Sequence, residues 1–363
     1  MKLRVAFSSF LFLLLAGCGV QAEANGESET RVTTLSGQPP IIIAHRGASG
    51  ERPEHTLAAY ALAIEQGADF IEPDLVLTRD GVLVARHENE ISETTDVAER
   101  PEFAGRRTSK TIDGEQHEGW FTEDFTLAEL KTLRAKERLP ELRVANAAYD
   151  GQFAVPTFEE ILQLLETHEK QTGKRIGIYP ETKHPGYFKS LGLSHDEPML
   201  RLLKQYGYHG RADPVFIQSF EVGNLKILDR ETEIRLVQLV AGEGGPPDDD
   251  DLTYASMLAA DGLAEIATYA DGIGPSKDLV IGRNLLGQLS TPTGLVAAAH
   301  KAGLLVHPWT FRRENYFLPT DCKSGIDPRD PGDLAAEIAA FVAAGVDGLF
   351  SDNPGLAVAA ARR

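Results

Sequence analysis

The residues able to do chemistry recur in pairs at regular spacing. Glu72 and Asp74 are two apart, so on an extended segment both point to one face. Glu181 and Lys183 repeat that spacing further along. Carboxylates converging in an enclosed place repel, and at least one is driven toward its protonated form unless a cation offsets the charge. A hard divalent cation with oxygen ligands does this, which makes Glu72, Asp74 and Glu181 candidate metal ligands. Calcium or magnesium suits them better than zinc, because no His or Cys joins these carboxylates at strand spacing. Glu72 and Asp74 alone could also be an ordinary salt-bridged rim pair, and Glu181 tips the balance. His45 and His87 each end an apolar run. Imidazoles titrate near neutrality, so one can act as base while the other acts as acid. Arg46 offers a planar fork for a phosphate, and Lys183 a point charge. With a divalent cation, three carboxylates and these two cations leave one positive charge, which a phosphodiester monoanion would neutralise. His307 and Trp309 end another run, and Trp309 reads either as a substrate contact or as core packing.

Something must hold these groups together. Apolar runs occur at Ile41–His45, Phe70–Leu77, Val82–Arg86, Ile176–Glu181, Val215–Ser219, Leu236–Val240, Asp271–Pro275, Leu304–Thr310 and Asp347–Ser351. Most are continuous rather than alternating, as in strands buried on both faces. Between them the pattern predicts helices at Thr56–Gln66, Pro156–Glu169, Pro198–Tyr206, Thr293–Ala302 and Asp333–Ala344, with Gly67, Gly207, Gly303 and Gly345 at C-caps. Only Thr78-Arg79-Asp80-Gly81 separates Leu77 from Val82, so the third run is a hairpin arm and not a parallel crossover. Eight strands remain. The economical fold class is α/β, a (β/α)8 TIM barrel with a hairpin after strand two, and an open doubly wound sheet is the alternative. In a barrel, catalytic groups sit at the carboxyl ends of strands, which is where the paired residues fall.

Residues 88–174 exceed a strand-to-helix loop and read as an insertion, part of it an excursion over the barrel mouth. Few strand signals occur in it. Helical stretches are expected at Leu127–Glu137 and Phe158–Glu169, and Phe121 or Phe125 is expected to join Trp309 beside the substrate's alcohol. An aromatic face there would suit a quaternary ammonium. The acidic stretch Gly244–Asp251 lacks the Gly and Glu spacing of a calcium loop and reads as a solvated turn.

The whole chain has 363 residues, ordinary globular composition and a formal charge of −18. No basic stripe or run appears, which argues against nucleic acid as a partner. No Gly-x-Gly-x-x-Gly follows a strand, so a dinucleotide fold is unsupported. Lys2 and Arg4 followed by the apolar Val5–Gly17 read as an export signal, residues 1–17. Leu15-Ala16-Gly17-Cys18 resembles the lipobox of bacterial lipoproteins. That resemblance implies cleavage before Cys18, a lipid on its thiol and, with Gly19 following, the outer membrane facing the periplasm. Residues 18–38 would then be a flexible tether, leaving 39–363 as the barrel domain. The lipid anchor would be the one membrane contact. The other cysteine, Cys322, would have no partner in the chain.

Ile43-Ala44-His45-Arg46-Gly47-Ala48-Ser49-Gly50 with Arg52-Pro53-Glu54-His55-Thr56 resembles the opening motif of glycerophosphodiester phosphodiesterases. Glu72-Pro73-Asp74, Thr78-Arg79-Asp80-Gly81 and His87 continue the likeness, and Tyr179-Pro180-Glu181-Thr182-Lys183 is similar to a signature of the periplasmic, calcium-dependent branch. The likeness runs over residues 40–358 and extends to Gly348-Leu349-Phe350-Ser351-Asp352. It implies that His45 and His87 are the acid/base pair, that Glu72, Asp74 and Glu181 bind calcium, and that Arg46 and Lys183 contact phosphate. The implied reaction is hydrolysis of small glycerophosphodiesters to sn-glycerol 3-phosphate and an alcohol, by a cyclic phosphate or by direct water attack. Two departures stand out. His55 occupies the place of the family's usual Asn, and Glu88 that of its usual Asp. Other readings are a related barrel phospholipase acting on lysophospholipid or sphingomyelin, and a non-catalytic phosphodiester-binding lipoprotein.

Overall fold

A computed structural model describes residues 33–362. The export signal, Cys18 and most of the expected tether lie outside the described residues.

Eight parallel strands follow one another around a barrel, each predicted from a buried apolar run. Strand one is Ile41–His45 and pairs with strand eight, Gly348–Ser351, on one side and with strand two on the other. Strand two is split by Pro73 into Phe70–Glu72 and Asp74–Leu77, because proline cannot donate to the ladder. Strand three is split likewise around Tyr179-Pro180, into Gly177–Ile178 and Glu181–Thr182. Strands four to seven are Phe216–Ser219, Arg235–Val240, Gly272–Pro275 and Leu305–Val306, paired in sequence order. Strands seven and eight meet through backbone hydrogen bonds from Asp347 N to Val306 O and from Phe350 N to Pro308 O. The hairpin arm Leu83–Ala85 lies antiparallel on strand two, as its short loop requires.

The predicted helices form at Leu57–Glu65, Phe158–Thr172, Asp196–Gln205, Leu295–Lys301 and Leu334–Ala343. Each of the four glycines named as C-caps has a positive φ between 82° and 88°. One core fills the space between strands and helices. A second, made of Ile43, Phe70, Tyr179, Phe216, Val237 and Phe350, plugs the barrel interior. Tyr179 stacks on Phe216 at 4.9 Å there, giving the residues above a rigid floor.

Between Leu83–Ala85 and Phe158–Thr172 the chain makes the excursion. It departs from the sequence reading in three ways. Its expected helix at Leu127–Glu137 is one capped turn, Leu127–Leu130, since the following backbone is spent on contacts to Asp96 and Thr94. It contains a hairpin, Thr108–Ile112 with Glu115–Gly119, whose polar side chains gave no hydrophobic signal. The helix that follows it, Phe158–Thr172, buries Phe158, Ile161, Leu162 and Leu165 in the main core as a helix of the barrel wall, so the excursion ends short of residue 174. The acidic stretch Gly244–Asp251 is a capping turn: Asp248 accepts from the Val222 and Gly223 N–H groups at the start of helix Val222–Glu231. Among the described residues no helix is long and apolar enough to cross a membrane. Cys322 is buried with a free thiol.

Candidate active site

Strand register assembles the site. His45 is the cross-strand partner of Glu72, Asp74 of Glu181, and Glu181 of Gln218, so four neighbouring strands offer polar groups at one level. His45, Glu72, Glu181 and Gln218 open on a cavity of about 430 Å³ at the carboxyl end of the barrel, and Asp74 lies behind them. Its lining includes His45, Arg46, Glu72, His87, Glu181, Lys183 and Trp309.

Glu72, Asp74 and Glu181 each offer an oxygen within 4.8 Å of the others, and all three are buried. Burial, then the charges of Asp74 and Glu181, pushes Glu72 well above the usual carboxylate range. Burial pushes Glu181 up to about 8 against the pull of Lys183. Asp74 is held low despite burial, by a hydrogen bond from His55 and by the charges of Lys183 and Arg46. Three such oxygens cannot all stay ionised without added positive charge. An all-oxygen donor set fits a hard divalent cation. His55, the first departure from the family pattern, is fully buried at φ 56° and links Tyr60 OH (2.7 Å) to Asp74 Oδ2 (2.9 Å). It fixes the rotamer of a carboxylate that could hold the cation.

The strand-one turn is tightly built. Arg46 takes a left-handed φ of 59°, uncommon for a residue with a side chain, and its N–H donates to Glu72 Oε2 at 2.8 Å. Gly47 follows at φ 83°, where a Cβ would sit 2.7 Å from the Ala59 backbone. Arg46 Nη1 donates to Glu54, and its Nε lies 3.3 Å from Asp74 Oδ2. The guanidinium is thus committed at Nε and Nη1, and at most its Nη2 end is open to a ligand. Lys183 Nζ sits 3.1 Å from Glu181 Oε1.

The two histidines face the cavity from different elements. His45 Nδ1 is 2.7 Å from Asp352 Oδ1, which sets the tautomer that leaves Nε2 without the proton. Burial, then the charge of Arg46, pulls His45 down to about 4, so it is neutral at pH 7. Asp352 is held in turn by Arg143 Nη2 at 2.6 Å and Arg312 Nε at 2.8 Å. His87 Nδ1 lies 3.0 Å from Glu88 Oε1, so the longer carboxylate arm at this position still reaches the ring. Enclosure and the cations Arg46 and Lys183 lower His87 as well.

The expectation for the excursion aromatics fails. Phe121 and Phe125 are fully buried inside the excursion, Phe125 edge-on to Phe103 at 5.0 Å, and neither lines the cavity. The aromatic wall is Trp309 with Phe220, Tyr316, Phe317 and Phe350. His307 belongs to the barrel floor, with Nδ1 2.8 Å from Tyr179 OH. Strand seven ends at Val306, so His307 lies a layer below Trp309, whose Nε1 donates to Gly274 O and holds the ring at the cavity wall. Asp352 and Gln218 were missed as site groups. The strand-end logic that found Glu72 would have found both, had it been applied to strands eight and four.

Residues 45–356 match the glycerophosphoryl diester phosphodiesterase family. The chain belongs to this family, and it is an enzyme of that kind. It is 38% identical over 360 residues to a glycerophosphodiester phosphodiesterase of Arabidopsis thaliana, covering 95% of this chain and 93% of that one. A Haemophilus influenzae glycerophosphodiester phosphodiesterase is 32% identical over 331 residues, 84% of this chain and 87% of its own. An Oleispira antarctica phosphodiesterase, solved with the product sn-glycerol-3-phosphate, shares the fold at a TM-score of 0.59 and 20% identity, over 91% of this chain and 100% of that one.

Proposed function

We propose that this enzyme hydrolyses glycerophosphodiesters to sn-glycerol 3-phosphate and an alcohol, with His45 and His87 as the acid/base pair and calcium held by Glu72, Asp74 and Glu181. The observation that carries the reading is the convergence of two imidazoles, His45 and His87, with a three-carboxylate cluster at one cavity. The product seen in the Oleispira relative supports sn-glycerol 3-phosphate as the product here. Calcium rests on the hard oxygen donors and on the Pro180-Glu181-Thr182-Lys183 resemblance. When bound, the cation supplies charge stabilisation to a phosphate oxygen and lowers the pKa of a coordinated hydroxyl.

The remaining work falls to side chains. His45, neutral and oriented by Asp352, accepts the nucleophile's proton at Nε2, and its imidazolium is stabilised by that carboxylate. His87 enters the step as the imidazolium, its charge offset by Glu88 at Nδ1, gives its Nε2 proton to the leaving alcohol and is left neutral. Arg46 Nη2 and Lys183 Nζ bind the nonbridging phosphate oxygens. Trp309 and Phe220, edge-to-face at 6.1 Å, wall the alcohol side.

The test is release of glycerol 3-phosphate from glycerophosphocholine by residues 33–363. Activity abolished by EDTA and restored by calcium supports the reading. A folded protein releasing none under calcium or magnesium overturns it. A second reading, lysophospholipid hydrolysis, is favoured by one observation: Tyr316 on the cavity lining and Leu285, Leu286 and Ile326 elsewhere are exposed. Faster turnover of lysophosphatidylcholine than of glycerophosphocholine would select it. We also propose export and lipidation at Cys18, checked by the mass of the mature amino terminus.

A further inference from the structure

One cluster at the mouth has no part in that reaction. Glu88, the second departure from the family pattern, has two ring partners: Oε1 faces His87 Nδ1, and Oε2 lies 2.7 Å from His184 Nε2. The other nitrogen of His184, Nδ1, lies 2.5 Å from Asp113 Oδ2. Asp113 sits at the turn of the excursion hairpin, between Ile112 and Glu115. His87, Glu88, His184 and Asp113 thus form a single line from the cavity to the hairpin tip.

Backbone geometry aims the middle of this line. Both His184 and Asp113 have a φ of 49°, a left-handed conformation that side-chain-bearing residues seldom take. With carboxylates at both nitrogens, His184 is an imidazolium. Burial pulls its pKa down, but the hydrogen bonds to Asp113 and Glu88 outweigh it and raise the ring to about 9. Glu88 keeps 39% of its side chain exposed and has one more rotatable bond than Asp. Unheld, it would sample several rotamers and would hold His87 only part of the time.

We propose that His184 and Asp113 are positioning residues for His87: His184, just after strand three, locks Glu88 in the rotamer that aims the ring into the cavity, and Asp113 holds His184 from the excursion hairpin. The inference rests on His87 belonging to the acid/base pair. His45 has the same wiring, a carboxylate behind the ring and cations behind the carboxylate.

The experiment is steady-state kinetics of the calcium-loaded chain on glycerophosphocholine with His184→Asn, Asp113→Asn and the double variant. Asn tolerates left-handed backbone, so these changes remove the bridges and spare the fold. Each single change should lower kcat about tenfold with KM held within about twofold, since geometry and not binding is lost. The double variant should be no worse than the poorer single, because the two act in series. In a Glu88→Asp background the shorter arm has fewer rotamers to fix, and His184→Asn should cost less than about twofold. Additive losses, an undiminished penalty in that background, or equal damage to kcat and KM with a lowered Tm would overturn the proposal. An inactive His87→Ala beside a fully active His184→Asn overturns the strap alone. A fully active His87→Ala overturns the acid/base reading beneath it.

Discussion

His45 and His87 face one cavity, each backed by a carboxylate and cations, but one set is buried and the other stands near solvent. Behind His45 lies a closed network: Asp352, Arg143 and Glu314 are each at most 5% exposed, and Arg143 also donates to Ser49 O. Behind His87 lies an open line, with Glu88 39% and Asp113 23% exposed at the side chain. In a buried network each group needs its partner, because an unpaired charge there has no water to turn to. Near solvent the same pairings are screened and weakly held. His45 is therefore fixed by the barrel, whereas His87 is fixed by whatever the excursion does.

The sharpest break of this contrast is removal of the rings. His45→Ala and His87→Ala should each lower kcat by about 10³-fold or more on glycerophosphocholine, with the fold intact by circular dichroism. Loss from only one would mean that the pair is not a pair. Next, Arg143→Met should destabilise the protein by about 3 kcal/mol or more in urea unfolding, since Glu314 and Asp352 lose a buried partner. No exposed change on the His87 side should approach that. Asp352→Asn should lower kcat about 10²-fold with little change in KM, by removing the acceptor that sets the His45 tautomer.

The smallest effect concerns pH. Burial pushes Glu181 up to about 8 in the folded, metal-free protein, from an ordinary glutamate value of 4.5. Above about pH 6.5, where the buried histidines are neutral in both states, the folded state binds more protons at Glu181 than the unfolded one, so stability falls as pH rises from about 6.5 to 8. Thermal melts in EDTA should show a loss of several degrees across that range. Calcium should reverse it most strongly at the high end, where no proton competes for the carboxylates. A Tm that climbs with pH in EDTA would contradict the burial argument.

Reading the sequence reached the barrel and most of the site for a common reason: both depend on local period. Glu72 and Asp74 share a face because side chains alternate along a strand, and Gly67 or Gly345 ends a helix because only glycine takes that φ cheaply. Glu88 beside His87 was legible as a neighbour. What escaped depends on distance. Nothing near Asp352 tells that its partner is His45, 307 positions earlier. Phe121 and Phe125 were misplaced because an aromatic in a long loop gives no sign whether it faces a cavity or a small core of its own. The Thr108–Gly119 hairpin escaped because its strands are polar on both faces, so register left no hydrophobic trace.

The bond between His45 and Asp352 joins the first strand to the last. Strand eight must dock against strand one before Asp352 can reach the imidazole. A chain still emerging from the ribosome, or crossing a membrane unfolded, carries both histidines and all three carboxylates before it carries the group that sets His45's tautomer. The group that orients His45 therefore arrives only with the last strand, and a polypeptide shortened by a dozen residues at its carboxyl end would keep both histidines and all three carboxylates yet lack it.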